Sequence, residues 1–132
     1  MRAMVLAARL GTRLRPITFD MPKPMVPVLN RPVMEHIVVL LRAAGFTDVI
    51  TNVSYMPEAI RAHFGDGSEF GIELSYSEES EPLGTAGGVL KALPTLGDAP
   101  FFHVNSDSIW IDGVKPNLDR LADAFDADRM DA

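Results

Sequence analysis

Short apolar runs alternate with amphipathic stretches along most of the chain. Ala3 to Ala8 (AMVLAA) is apolar throughout, as in a strand buried on both faces. Val33 to Ala44 (VMEHIVVLLRAA) reads as a helix, with Pro32 suited to its first turn and Gly45 to its C-terminal cap. Asp48 to Val53 (DVITNV) predicts a second strand, and Pro57 to Phe64 a short helix ended by Gly65. Ile72 to Ser77 (IELSYS) alternates apolar and polar, the period of a third strand. Thr85 to Leu93 predicts a helix that leaves a glycine-rich turn. Phe101 to Asn105 (FFHVN) predicts a fourth strand, and Pro116 to Phe125 a last amphipathic helix.

Strands that alternate with helices imply βαβ units. The expected architecture is therefore α/β, a Rossmann-like three-layer α/β/α domain over residues 1–132 with a mostly parallel sheet. No internal repeat or linker interrupts it. Between the first strand and first helix lie Pro16, Pro22, Pro24, Pro27 and Pro32, a density that neither a helix nor a central strand tolerates. Residues 9–32 are read as a long ordered loop, the kind that often carries function. Ligands of such sheets lie beyond the carboxyl ends of the strands. Three loops meet that condition: residues 9–27, 78–88 and 105–112.

Composition narrows the function. Hydrophobic residues make up 47% of the 132 positions and charged residues 23%, as in an ordinary soluble domain. Twelve Lys and Arg against 18 Asp and Glu leave a formal net charge of −6, which argues against nucleic acid as a partner. A local basic cluster can still hold a small anion inside an acidic protein. The absence of cysteine removes disulfides, thiolate metal sites and a thiol nucleophile, and suits a reducing compartment, read as the cytoplasm. No apolar run approaches the roughly 18 residues that would span a membrane, and MRAMVLAA leads into charge, so it reads as a strand and not a signal peptide.

The unusual residues fall in the three loops. In the first, Gly11-Thr12-Arg13 follows a strand, where backbone amides can face an anion, and Arg13, Arg15 and Lys23 add positive charge. A solvated basic turn is the plainer reading of that fragment. It is neither a Walker loop nor a G-x-G-x-x-G loop. In the second, EPLGTAGG, Gly84, Gly87 and Gly88 allow close approach of backbone to a flat ligand, while Thr85 could instead cap the following helix. In the third, Asp107 stands where a carboxylate can hold Mg²⁺, or can simply close a turn, as Asp112 does. Glu78, Glu79 and Glu81 read as a solvated run. His36 and His63 read as surface or packing residues, and His103 and Trp110 as packing residues.

Together these loops resemble the sugar-1-phosphate nucleotidyltransferases. LAARLGTRLRP followed by MPKP is similar to that family's first loop, EPLGTAGG to its base-reading loop, and VNSD to the position of its metal-binding aspartate. The resemblance runs from Met4 to about Asp112. It implies that a nucleoside triphosphate and a sugar 1-phosphate give a nucleotide-sugar and pyrophosphate, with GDP-mannose or UDP-N-acetylmuramate as the suggested branch. It implies catalytic roles for Arg13 and Lys23, substrate contacts at Ala7, Ala8, Gly11, Thr12, Gly84 and Thr85, and Mg²⁺ as cofactor on Asp107. It also implies a longer catalytic domain. The chain is then the family's N-terminal part, and Phe101, Phe102 and Val104 lie at an unfinished sheet edge that invites a homo-oligomer. Arg9 stands where the family has glycine. If its φ is positive, the arginine costs on the order of 1 kcal/mol and weakens nucleotide binding. Alternatively it adds a phosphate contact. A nucleotide-binding module without turnover is the alternative function, and a purely structural interaction domain is a third reading.

Overall fold

The computed structural model describes residues 1–131. Strand β1 (Ala3–Leu6) opens the chain and is buried at every position. The proline-rich segment that follows is ordered by short 3₁₀ turns at Thr12–Leu14, Ile17–Phe19 and Lys23–Met25, then by the small hairpin β2 (Pro27–Val28) and β3 (Arg31–Pro32). Helix α1 (Val33–Ala43) leads to β4 (Asp48–Val53), α2 (Pro57–Phe64) to β5 (Glu73–Glu78), α3 (Gly84–Leu96) to β6 (Phe102–Asn105), and α4 (Asn117–Ala124) follows.

The four long strands form one parallel sheet in the order β5-β4-β1-β6. The pleat sends alternate side chains to opposite faces. Ala3 and Val5 point into a core with Met34, Ile37, Val38 and Leu41 of α1, Ile60 and Phe64 of α2, and Leu118 of α4. Met4, Leu6 and Ile50 point the other way, against Ala92 and Leu96 of α3. Helices thus cover both faces, as the alternation of elements predicts. No helix among the described residues is long and apolar enough to cross a membrane.

Three expectations change. Helix α3 runs on through Pro94 to Leu96, beyond the expected end at Leu93. Arg2 compensates at that end, its Nη1 donating to the carbonyls of Thr95 (2.5 Å) and Leu96 (3.2 Å) while its Nε donates to Asp48 (2.6 Å). His103 is exposed on the edge strand β6, although its register partner Met4 is buried. Phe102 is covered better than expected. Its ring meets Phe46 edge-on at 5.5 Å, and Phe101 packs with the α3 core.

Candidate functional site

Because β1, β4, β5 and β6 are parallel, their carboxyl ends share one edge of the sheet, and the loops that leave them converge there. Between the loops lies a cleft of about 300 Å³. Ala8, Gly11, Thr12, Arg13 and Lys23 line it from the first loop, and Gly84 and Thr85 from the loop after β5. Most of the residues singled out in the sequence therefore meet in one place.

The first loop is shaped by Gly11. Its φ is +64°, and a Cβ there would lie 2.9 Å from Lys23 Cβ and 3.1 Å from Thr18 Cγ2. A side chain at position 11 would both strain the backbone and push away the returning Lys23 segment. Buried Thr18 fixes the fold-back, its hydroxyl donating to the Gly11 carbonyl at 2.9 Å. The Thr12–Leu14 turn presents Arg13 to the cleft. The Arg15 guanidinium stacks over Phe19, 5.1 Å from the ring centre. Arg9 also lines the cleft, and its φ is not positive, so the expected strain is absent.

Lys23 Nζ pairs with Asp107 Oδ2 across the cleft edge, which ties the first loop to the loop after β6. Asp107 keeps about a third of its side chain exposed. No cluster of three or more His, Cys, Asp or Glu is placed to hold a metal among the described residues. An accessible carboxylate fits Mg²⁺ once Lys23 is drawn from it, since that ion takes one or two carboxylates together with substrate phosphates and water.

The opposite wall corrects two readings. Glu79 is not solvated but 2% exposed, turned beneath the glycine-rich loop. One carboxylate oxygen accepts from Asn52 Nδ2 (2.8 Å) and the other from the Leu83 amide (2.9 Å). That second bond serves the N-terminus of α3, where no cap residue's side chain does, and Thr85 lies inside the helix instead of capping it. Asn52 Oδ1 in turn accepts from the Ala7 amide at 2.8 Å, so Ala7 sits under the cleft and Ala8 in its lining. Asn52 was not among the expected site residues. Its signal was a polar residue near the end of the otherwise buried run DVITNV.

The remaining candidates lie elsewhere. His36 bonds the Val28 carbonyl (2.8 Å), and His63 pairs with Glu35 (2.8 Å). Asp112 accepts from the Asn117 amide at the start of α4. Trp110 packs against the main core. Burial pushes the Tyr76 phenol up from its ordinary value, against the pull of Arg61 stacked 4.4 Å from the ring, but neither lines the cleft.

A fully parallel sheet between helical layers, with its loops converging at the carboxyl ends of the strands, defines a Rossmann-like α/β domain. The nucleotidyl transferase family model matches residues 2–130, and the chain belongs to that family. It is 47% identical over 100 residues to a UTP–glucose-1-phosphate uridylyltransferase of Synechocystis, matching 69% of this chain and 26% of that protein. It is 39% identical over 132 residues to an N-acetylmuramate α-1-phosphate uridylyltransferase of Caulobacter vibrioides, matching 98% of this chain and 54% of that protein. A crystal structure from Bacillus anthracis, assigned as a glucose-1-phosphate thymidylyltransferase and complexed with sucrose, superposes with a TM-score of 0.84 at 25% identity. That likeness covers 93% of this chain and 50% of the other. The chain thus spans about half, or less, of the length of these relatives.

Proposed function

We propose that the cleft binds a nucleoside triphosphate and serves transfer of its nucleotidyl group to a sugar 1-phosphate, with release of pyrophosphate. The observation that carries this reading is the convergence of Arg9, Arg13 and Lys23 with the Gly84–Thr85 backbone in one cleft of a protein whose net charge is −6. In the reaction an oxygen of the sugar phosphate attacks the α-phosphorus, and the bond from that phosphorus to the bridging oxygen of the β-phosphate breaks. The attacking oxygen is already ionised near neutral pH, since the second phosphate pKa is about 6, so no general base is needed. The difficulty is bringing two polyanions together and stabilising the leaving pyrophosphate.

Arg13 suits the triphosphate and the departing pyrophosphate, because a guanidinium meets phosphate oxygens in pairs. Lys23 suits the α-phosphate as a point charge. It is held in reserve by Asp107, and a ligand that draws Lys23 away frees that carboxylate. Asp107 would hold Mg²⁺, which neutralises phosphate charge when bound. Small residues at Ala8, Gly11 and Thr12, with Ala7 beneath them, leave room for the ribose and phosphates of the nucleotide, and Gly84 and Thr85 for the base. Of the two suggested branches, UDP-N-acetylmuramate is favoured, because a relative matched along 98% of the chain is an N-acetylmuramate α-1-phosphate uridylyltransferase.

The test is pyrophosphate release with Mg²⁺, comparing UTP with GTP and N-acetylmuramate 1-phosphate with mannose 1-phosphate, alongside thermal unfolding with each nucleotide. A nucleotide at 100 times its Kd adds about 2.7 kcal/mol of stability, a readable shift. Release from one pair supports the reading. Neither release nor a shift with any nucleotide overturns it.

A further inference from the structure

Two buried side chains join the walls of the cleft, and their hydrogen bonds have a fixed direction. The Ala7 amide donates to Asn52 Oδ1, Asn52 Nδ2 donates to Glu79 Oε1, and the Leu83 amide donates to Glu79 Oε2. Asn52 is 3% exposed and Glu79 2%. Ala7 precedes Ala8 in one wall, and Leu83 precedes Gly84 in the other. We infer that Asn52 and Glu79 are positioning residues that set the gap between these walls, and through it the affinity for nucleotide. The inference rests on the nucleotide reading above and adds to it the parts that hold the binding loops in register.

The chemistry permits few other occupants. Both ends of the relay are backbone amides, which only donate, so the two side chains must between them supply three acceptors and one donor. An amide at 52 and a carboxylate at 79 do so. Glu79→Gln turns an NH₂ towards either Asn52 Nδ2 or the Leu83 amide, donor against donor. Asn52→Asp sets two carboxylates against each other. The double swap N52D/E79Q restores a complete relay: carboxylate oxygens accept from the Ala7 amide and from the new side-chain NH₂, and the new carbonyl accepts from Leu83. The pair's charge is unchanged. The relay is also closely roofed. A Cβ at Gly88 would lie 2.6 Å from Asn52 Nδ2 and 2.8 Å from Glu79 Oε1, so the first turns of α3 can rest on it only with glycine there.

The experiment is a double-mutant cycle read as the affinity of the folded protein for UTP and GTP with Mg²⁺, with G88A as a further variant that disturbs the relay without removing a polar atom. E79Q and N52D should each weaken binding about 10-fold or more, as expected for buried groups left without partners. N52D/E79Q should return to within a few-fold of the natural chain, and G88A should weaken binding. Failure of the swap to recover affinity overturns the inference, as does unchanged affinity in E79Q even where its unfolding midpoint falls, since the relay would then be structural only. If the single variants do not fold, recovery in the swap and loss in G88A decide the matter. If the natural chain binds neither nucleotide, the nucleotide reading itself falls and takes the inference with it. That outcome is distinct from normal binding with no rescue.

Discussion

Arg9 occupies a position where backbone strain would have made it a liability, yet its φ is not positive. Its side chain lines the same cleft as Arg13 and Lys23, so the simplest physics makes it one more cation for a triphosphate. Arg9→Gly should weaken nucleotide affinity by about 3- to 10-fold, the scale of one charge-assisted contact. Calorimetric titration of the two proteins checks this. Tighter binding by the glycine variant would show instead that the arginine obstructs the pocket. The basic residues were legible in the sequence because Gly11, Arg13 and Lys23 mark a loop by composition alone. Glu79 was not, because Glu78, Glu79 and Glu81 look alike along the chain and only the turn after β5 sends one inward while its neighbours stay exposed.

Among the elements, hydrophobic period placed β4 and α2 at their observed limits and α1 within one residue. Helix α3 was misjudged at both ends because its termini are served by side chains that lie outside it. Glu79 meets the Leu83 amide at the start, and Arg2, from the other end of the chain, meets the last carbonyls. A partner as distant as Arg2 leaves no local trace. Arg2 is half exposed and its ion pair with Asp48 is correspondingly screened, so Arg2→Ala should lower unfolding free energy by only about 1 kcal/mol. Its contacts lie away from the cleft, so nucleotide affinity should stay as it is. Denaturant unfolding and a nucleotide titration on the same sample test both halves. A loss of affinity would mean that the far end of α3 also governs the glycine-rich loop.

For the whole molecule, a net charge of −6 surrounds a cleft lined by Arg9, Arg13 and Lys23. An anionic ligand is repelled at long range and attracted at short range. Salt shortens both interactions as the Debye length falls from about 10 Å at 0.1 M to about 3 Å at 1 M, but the contacts inside the cleft dominate the affinity. Raising ionic strength across that range should therefore weaken nucleotide binding by roughly 5- to 10-fold, measured by titration at fixed free Mg²⁺. A salt-independent Kd would assign most of the binding to the base. The parallel sheet and its layers were readable from alternation, whereas the strand order was not, because a pattern of runs does not say which strand lies in the middle.

That order sets the course of folding. β1 is an interior strand, with Ala3 opposite both Val49 and Phe102. It is made before both of its partners and cannot pair until residues far downstream exist, and its second edge waits for β6. Each closure spans a long loop, which slows folding relative to a chain of local contacts. Meanwhile an apolar strand with two open edges is available to other chains. The strand that leads into the Arg9–Arg13 side of the cleft is therefore also the one most exposed to misassembly during synthesis.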